Sequence, residues 1–137
     1  MPTMNGILET SLYVADVERS ARFYETLFQF KRMFQDDRLC AMSVEGKQVL
    51  LIFKHGASTE PIAVDSGVMP PHDGSGQTHI AFSCTAAELP RWELHLAEHQ
   101  VPIESRIHWP RGGTSIYFRD PDEHLLELIT PGVWPIY

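Results

Sequence analysis

Eight short segments of the chain have strand-like patterns, the first of them with hydrophobic and polar positions alternating with period two, and two longer segments repeat at helical spacing. The first alternating segment, residues 8–14, is rich in strand-forming side chains. Asp16 follows it as a favourable N-cap. The apolar positions that then recur at helical spacing are Val17, Ala21, Tyr24 and Leu27. This order predicts a strand and then a helix.

Three more strand-like runs complete this first pattern. They are residues 30–34, 39–44 and 48–53. Glu45-Gly46 separates the last two runs and is a signal for a tight hairpin turn. The first part of the chain is therefore predicted to fold as β-α-β-β-β.

The same order returns in the second part of the chain. Residues 77–83 predict a strand, and Thr85 to Glu88 form a capping box that predicts the start of a helix. Pro90 is tolerated in the first turn of a helix, although it can shift the start. The strand-like runs that end this copy are residues 103–108, 114–118 and 125–130. The chain therefore contains two βαβββ modules, at about 6–54 and 77–131, which indicates an α+β fold.

The segment between the modules, residues 55–76, is rich in Gly, Pro, Ser and Asp and lacks periodicity. A loop of this length within a compact domain is typically a functional segment or a linker. We expect it to join the two modules within a single domain that spans residues 1–137, and to contribute a wall to any binding site.

Alignment of the two modules brings Glu9 opposite His79 and Leu51 opposite Glu127. Because side chains alternate between the faces of a strand, Glu9, His79 and Glu127 all lie on the faces opposite to the strongly apolar ones. The apolar faces belong under the helices. The other faces would then line a concavity that carries these three polar side chains.

The amino-acid composition of the chain argues against some classes of binding partner. The 137 residues include 11 Lys and Arg against 18 Asp and Glu, a formal net charge of −7, which argues against nucleic-acid binding. The longest apolar run, residues 49–53, is far shorter than the roughly 20 residues of a membrane helix. No secretion signal is visible, and Cys40 and Cys84 are expected to pack as free thiols. A soluble cytoplasmic protein is predicted.

Three segments of the chain resemble the vicinal-oxygen-chelate superfamily, which includes glyoxalases, bleomycin resistance proteins and extradiol dioxygenases. They are Ser11-Leu-Tyr-Val-Ala-Asp-Val-Glu-Arg-Ser-Ala-Arg-Phe-Tyr24, Gln77-Thr-His-Ile-Ala-Phe82 and Ser115-Ile-Tyr-Phe-Arg-Asp-Pro-Asp-Glu-His-Leu-Leu-Glu-Leu128. The resemblance implies a cupped, mixed eight-stranded sheet that holds one divalent metal ion. The implied ligands are Glu9, His79 and Glu127. Two departures stand out, since the dioxygenase-like and fosfomycin-resistance-like branches usually have His at the position of Glu9, and glyoxalase-like enzymes need a ligand at Leu51.

The chemistry of this residue set agrees with a metal. One imidazole and two carboxylates suit Mn²⁺, Fe²⁺, Ni²⁺, Co²⁺ or Zn²⁺ and leave positions open for water or substrate. Each residue also has a structural alternative. Glu127 could cap a turn or pair with an arginine, His79 could be a hydrogen-bonded core histidine, and Glu9 could pair with Arg106. Most of the other histidines are expected to be loop or helix-surface residues and not ligands. His95 and His99 lie four apart on one helix and could bind a metal in isolation, but a solvated face is expected there.

The resemblance implies a metalloenzyme that acts on a small molecule with adjacent oxygens. Glu127 or Glu9 could leave the metal to act as a base, and Tyr117 could donate a hydrogen bond to a metal-bound oxygen. The predicted substrate pocket is lined by Tyr13, Phe53, Ser115 and Tyr117, with Arg111 available to an anion. The alternative is a metal-free drug-binding protein of the bleomycin-resistance type. A homodimer is expected in either case, because dimers are common in the superfamily.

Overall fold

The computed structural model describes all residues 1–137 and divides into two compact units, Met1–Ser75 and Gly76–Tyr137. Each unit contains one helix and one four-stranded sheet, and the α+β fold class is confirmed. The elements of the first unit are β1 (Glu9–Val14), α1 (Val17–Phe28), β2 (Lys31–Gln35), β3 (Leu39–Val44), β4 (Gln48–Lys54), β5 (Ile62–Val64) and β6 (Gly67–Met69).

The sheet of the first unit has the strand order β1-β4-β3-β2. β1 and β4 are parallel, with Glu9 opposite Val49, and the other two pairs are antiparallel. The hairpin between β3 and β4 turns at Glu45 and Gly46, which both adopt positive φ, at 52° and 66°. Two consecutive positive φ values are the geometry that matches the twist of a two-residue hairpin. The predicted turn is therefore confirmed.

Helix α1 begins after Asp16, whose carboxylate accepts a hydrogen bond from the backbone N–H of Arg19 at 3.0 Å. This interaction satisfies one of the free amides at the start of the helix, as the sequence predicted. The buried side of the helix packs against β2, β3 and β4. Its residues are Val17, Ser20, Ala21, Tyr24, Leu27 and Phe28. Tyr24 is fully buried and stacks on Phe28 and Phe30.

The second unit repeats the topology of the first. Its elements are β7 (His79–Ser83), α2 (Leu89–Glu98), β8 (Ser105–His108), β9 (Thr114–Arg119) and β10 (Leu125–Ile129), and its sheet has the order β7-β10-β9-β8. β7 and β10 are parallel, with His79 opposite Leu125. His79 therefore occupies the position that Glu9 has in β1, which agrees with the alignment of the two modules.

Helix α2 begins later than its capping box indicated. Thr85 does accept a hydrogen bond from the backbone N–H of Glu88, at 3.2 Å, but residues 86–88 form a turn and the helix starts at Leu89. Pro90 lies in the first turn, where its missing N–H costs no intrahelical bond. Neither helix of the chain is long and apolar enough to cross a membrane.

The middle segment differs from the unstructured loop that its composition predicted. β5 and β6 form a short antiparallel hairpin in which Val64 pairs with Gly67 across Asp65 and Ser66. Two apolar triplets around a polar two-residue turn are a hairpin signal, which the surrounding Gly, Pro and Ser residues obscured. Residues 55–75 belong to the first unit.

Candidate metal centre and the aromatic cluster

His79 and Glu127 are brought together by adjacent parallel strands. Glu127 lies two residues beyond Leu125, the register partner of His79, so both side chains project from the same face of the sheet. The Nε2 atom of His79 lies 3.1 Å from Oε2 of Glu127. The Glu127 side chain is only 7% exposed, whereas that of His79 is 48% exposed. The sequence prediction of a His/Glu pair is therefore matched by the geometry of the second unit.

The hydrogen bond of the second ring nitrogen of His79 indicates what kind of ion His79 and Glu127 can bind. Its Nδ1 atom lies 2.9 Å from the carbonyl oxygen of Leu125, and a carbonyl accepts only from an N–H. Nε2 is then the ring nitrogen that faces the carboxylate of Glu127. Two lone-pair donors that face each other need a proton or a cation between them. Metal-ligating histidines characteristically donate their other ring N–H to a carbonyl, so these donor atoms fit a divalent ion.

Side chains of the neighbouring strand β9 lie beside Glu127. Tyr117 is the register partner of Glu127, so its side chain projects from the same face of the sheet. Ser115 is fully buried, and its Oγ atom accepts the indole N–H of Trp109 at 2.8 Å. Trp109 is thereby tied to the strand that flanks Glu127.

Burial raises the pKa of Tyr117, and the negative charge of Glu127 raises it further, while Ser115 partly offsets the rise. The phenol therefore stays protonated. The ring of Tyr117 also lies beside that of His79, with centroids 6.3 Å apart. Tyr117 and His79 thus both flank the carboxylate of Glu127.

Glu9, the third predicted ligand, belongs to the first unit. It is exposed on β1 and forms no ion pair. Arg106, its alternative partner in the sequence prediction, forms an ion pair with Glu93 instead. No group of three or more His, Cys, Asp or Glu side chains lies at metal-binding spacing. The assignment of Glu9 as a ligand remains a prediction from the alignment.

The corresponding face of the first unit carries an aromatic cluster. Tyr13 and Phe53 are register partners on β1 and β4, and their rings stack with centroids 5.8 Å apart. His72 lies edge-on against Phe53 at 4.5 Å, and its Nδ1 atom is 2.6 Å from the hydroxyl of Tyr13. The Arg38 guanidinium lies 5.9 Å from the centroid of the Phe53 ring. Phe53 is consequently 6% exposed, covered by protein side chains.

Segment 72–74 is anchored over this cluster. The backbone N–H of His72 donates to the carbonyl of Ser58 at 2.9 Å, and Asp73 accepts the N–H of Gly56 at 3.2 Å. These backbone bonds from Gly56 and Gly74, with the nearby histidines, lower the pKa of Asp73. Gly74 sits so close to Tyr13 that an added Cβ would lie 2.5 Å from the ring. His72 and Asp73 were not among the predicted site residues, because no periodic pattern links a loop residue to a distant strand.

The remaining predicted pocket residues have different surroundings. Arg111 is exposed on the tight loop between β8 and β9 and forms no ion pair, so its charge is available to an anion. The hydroxyl of Ser115 is engaged by Trp109, and Phe53 is covered by His72. Tyr117 is half-buried beside His79. Of the predicted contacts, Tyr117 and Arg111 are therefore the best placed to reach a ligand.

Comparison with known proteins decides the family. The model of the glyoxalase/bleomycin resistance protein/dioxygenase superfamily matches residues 6–128. The chain belongs to this superfamily. The metallothiol transferase FosB of Bacillus licheniformis is 31% identical over 130 residues, which cover 94% of this chain and 77% of that protein. The sequence-based identification of the superfamily is thus confirmed.

Solved structures of the superfamily agree in fold. The crystal structure of lactoylglutathione lyase from Agrobacterium tumefaciens matches with a TM-score of 0.88 and 28% identity, and the match covers 98% of this chain and 99% of that one. The fosfomycin resistance protein FosX from Mesorhizobium loti matches with a TM-score of 0.64 and 25% identity over 93% of both chains. These relatives carry names of different activities. Membership in the superfamily therefore shows the fold and leaves the substrate open.

Proposed function

We propose that this protein is a divalent-metal-dependent enzyme of the superfamily that acts on a small molecule with adjacent oxygens. The observation that carries the proposal is the His79–Glu127 pair, in which Nε2 and Oε2 face each other at 3.1 Å while Nδ1 is bound to a carbonyl. A buried carboxylate with an exposed histidine beside it suits an ion that keeps open positions for substrate.

His79 and Glu127 would hold the ion, and Glu9 is proposed as the third ligand on the basis of the sequence alignment. The donor set of nitrogen and carboxylate oxygen suits Mn²⁺, Fe²⁺, Ni²⁺, Co²⁺ or Zn²⁺. When bound, the metal would act as a Lewis acid that polarises a substrate oxygen. The name metallothiol transferase, which the FosB relative carries, is consistent with a metal in this family.

Other residues of this chain would act as the catalytic base, attract an anionic group or contact the substrate. Tyr117 lies beside Glu127 on the next strand, and either Glu127 or Glu9 would act as the base. The exposed guanidinium of Arg111 would attract a phosphonate, carboxylate or similar anion. Tyr13, Phe53 and Ser115 were also predicted to contact substrate. The contacts of Phe53 with His72 and of Ser115 with Trp109 favour supporting roles for these two.

Metal binding tests the proposal most directly. The untagged protein is purified without chelators, analysed for metal, and titrated with Mn²⁺ after the metal is removed. We expect Glu127→Gln and His79→Gln each to weaken Mn²⁺ binding by about 100-fold or more, because second-shell changes alone cost 10–100-fold. Glu60→Gln is the matched control, since Glu60 is an exposed carboxylate outside the candidate centre and its loss should leave Mn²⁺ affinity unchanged. Equal affinities in all variants would contradict the proposal.

Glu9 requires its own variant. Glu9→Gln should weaken Mn²⁺ binding if Glu9 is the third ligand, and should leave the affinity unchanged if the ion takes only His79 and Glu127 from the protein. Assays can begin with the compounds that the relatives' names print, namely lactoylglutathione and fosfomycin with a thiol. Each assay is run with and without added Mn²⁺, because a metal-dependent enzyme must lose turnover when the ion is removed.

The second candidate is a metal-free binding protein for a cationic drug, which the net charge of −7 favours. Thermal unfolding with two panels separates the candidates, because a ligand that binds only the native state raises the Tm. An increase with divalent ions and none with bleomycin-type cations supports the enzyme, and the reverse result supports the binding protein. We further propose a homodimer, which sedimentation of the untagged chain would test.

A further inference from the structure

His124 is a buried histidine outside the candidate metal centre. It stands at the end of the polar turn between β9 and β10, yet it is only 1% exposed. The carboxylate of Asp120 accepts the backbone N–H of His124 at 2.9 Å and that of Asp122 at 3.0 Å. The backbone N–H of Asp120 in turn donates to the carbonyl of His124 at 3.2 Å. These bonds close the turn and fix the backbone that carries the His124 ring.

The ring of His124 is hydrogen-bonded to the residue that precedes His79. Nδ1 of His124 lies 3.0 Å from the backbone nitrogen of Thr78 and 2.9 Å from Oγ1 of the same residue. A backbone N–H can only donate, so Nδ1 is the acceptor of the first of these bonds. A side chain at position 124 must therefore present an acceptor atom at this point in order to bind Thr78.

Two further bonds continue this link to His79 itself. Leu125, the residue after His124, donates its N–H to the carbonyl of Thr78 at 2.8 Å. The carbonyl of Leu125 is the partner of Nδ1 of His79, at 2.9 Å. Two consecutive residues at the start of β7 are thus bonded to two consecutive residues at the start of β10. The His124 ring lies at one end of this set of bonds and the His79 ring at the other.

The place of His79 in the sheet explains why an additional anchor matters. His79 is the first residue of β7, which stands at the edge of its four-stranded sheet. An edge strand has a hydrogen-bonded neighbour on one side only, and the ends of elements open most easily. Glu127, in contrast, lies in the middle of β10, between β7 and β9. Of the two side chains, His79 therefore depends more on how its strand end is held.

We propose that His124 is a positioning residue, which holds the start of β7 through the Thr78 amide and so sets the place of the His79 ring beside Glu127. The inference rests on the proposed function, in which His79 is a metal ligand. An ion that meets a ring already in place pays less ordering cost on binding, so loss of this anchor weakens the ion's affinity.

His124→Leu and His124→Asn test the proposal, because Leu has no acceptor atom whereas the amide oxygen of Asn can replace Nδ1. NMR is applied to the metal-free, full-length protein. In His124→Leu we expect the Thr78 amide to exchange with solvent about tenfold faster or more, and the His79 imidazole signals to shift. Mn²⁺ affinity should fall by about tenfold in the same variant. His124→Asn should restore the slow exchange, the His79 signals and most of the Mn²⁺ affinity.

Thr130→Val is the matched control at the other end of β10. The buried hydroxyl of Thr130 accepts the backbone N–H of Thr114 at 2.8 Å, so this variant also removes a side-chain acceptor from a backbone amide. We expect Thr130→Val to lower the Tm, as His124→Leu does, and to leave the His79 signals and Mn²⁺ affinity unchanged. His79 signals that do not move in His124→Leu, or that move equally in Thr130→Val, would overturn the proposal.

Two outcomes separate this inference from the proposed function and from a general loss of folding. If the wild-type protein binds no Mn²⁺, the proposed function fails, whereas amide exchange and the His79 signals of the metal-free protein still decide the role of His124. If His124→Leu does not fold, the wild-type protein is examined for a scalar coupling between the backbone nitrogen of Thr78 and Nδ1 of His124. The coupling supports the anchor, and its absence refutes the inference.

Discussion

The two units share one strand order but use the same face of their sheets in opposite ways. By register, Glu9 corresponds to His79, Leu51 to Glu127 and Phe53 to Ile129. In the first unit this face carries the stacked rings of Tyr13 and Phe53 with His72 packed against them. In the second unit it carries the carboxylate of Glu127, with Nε2 of His79 at 3.1 Å and Tyr117 on the neighbouring strand.

The difference teaches that one repeat position decides the chemistry of each face. Leu51 needs only apolar contacts, so the first unit can cover its face with its own chain. A carboxylate at the equivalent position of the second unit is buried and must have partners, because an unpaired buried charge costs several kcal/mol. His79 supplies such a partner at 3.1 Å.

Removal of the central ring of the aromatic cluster should have the largest effect on stability. Phe53→Ala is expected to lower the free energy of unfolding by about 3–5 kcal/mol, because it leaves a cavity beneath Tyr13, His72 and Arg38. Urea unfolding measures the loss, and the imidazole NMR signals of His72 should shift as its edge contact disappears. Ile129→Ala truncates the corresponding residue of the second unit and should cost about 2–5 kcal/mol without a shift of His72. Equal shifts of His72 in both variants would show that the cluster is not a local unit.

Gly74 tests how tightly the middle segment lies on Tyr13. Gly74→Ala places a methyl group 2.5 Å from the Tyr13 ring, so we expect a loss of about 1–3 kcal/mol and displacement of the segment. In the matched control Gly67→Ala, nothing lies within 4 Å of the new Cβ, and stability should change by less than about 0.5 kcal/mol. Thermal unfolding compares the two variants. The same Tm in both variants would mean that segment 72–74 can move away from Tyr13 at little cost in stability.

Trp109 tests whether β9 helps to orient Glu127 in the second unit. Trp109→Phe keeps an aromatic ring but removes the N–H that Ser115 accepts, which should cost about 1 kcal/mol. If this hydrogen bond helps to orient Glu127, Mn²⁺ affinity should also fall, by about tenfold. Trp134→Phe is the control at an exposed tryptophan and should change neither quantity. A stability loss with unaltered Mn²⁺ affinity would reduce Trp109 to a packing role.

The smallest expected effect is on the pKa values of exposed carboxylates. These carboxylates have different numbers of hydrogen-bond partners in the two units. Hydrogen bonds from Arg32, then Gln35 and Arg22, hold the pKa of Glu18 at about 2, against an ordinary value of 4.5. Glu104 in the second unit has only Arg119, which lowers its pKa as well. The folded-state pKa of Glu18 is depressed, so its ion pairs stabilise the protein fully above the ordinary pKa. That contribution is lost as the pH falls through about 2.

Carboxyl ¹³C titration by NMR measures both midpoints. We expect Glu18 to titrate near pH 2 in the wild-type protein, and Arg32→Gln to raise its midpoint toward the ordinary value. Arg119→Gln should raise the midpoint of Glu104 and leave that of Glu18 alone. A wild-type Glu18 midpoint near 4.5 would mean that the contacts with Arg32 do not persist in solution.

Most of the fold could be predicted from the sequence because its signals are local. The eight strands of the two modules were predicted within two residues at each end, and the Asp16 cap and the Glu45-Gly46 turn were confirmed. The start of α2 was predicted too early, because Thr85 caps a turn and Pro90 begins the helix proper. The β5–β6 hairpin was missed, because its two apolar triplets are short and lie among turn-forming residues.

The sequence by itself determined which residue types stand at equivalent positions of the two modules, since a repeat and strand parity need no distant contact to be recognised. It therefore named His79 and Glu127, and the register of β7 and β10 agrees with that pairing. Only the tertiary structure decided that Trp109 hydrogen-bonds to Ser115, that His72 covers Phe53, and that His95 and His99 bring their rings together. The physical reason is that hydrogen-bond direction and ring contact depend on side-chain placement in space, which periodicity along the chain does not specify.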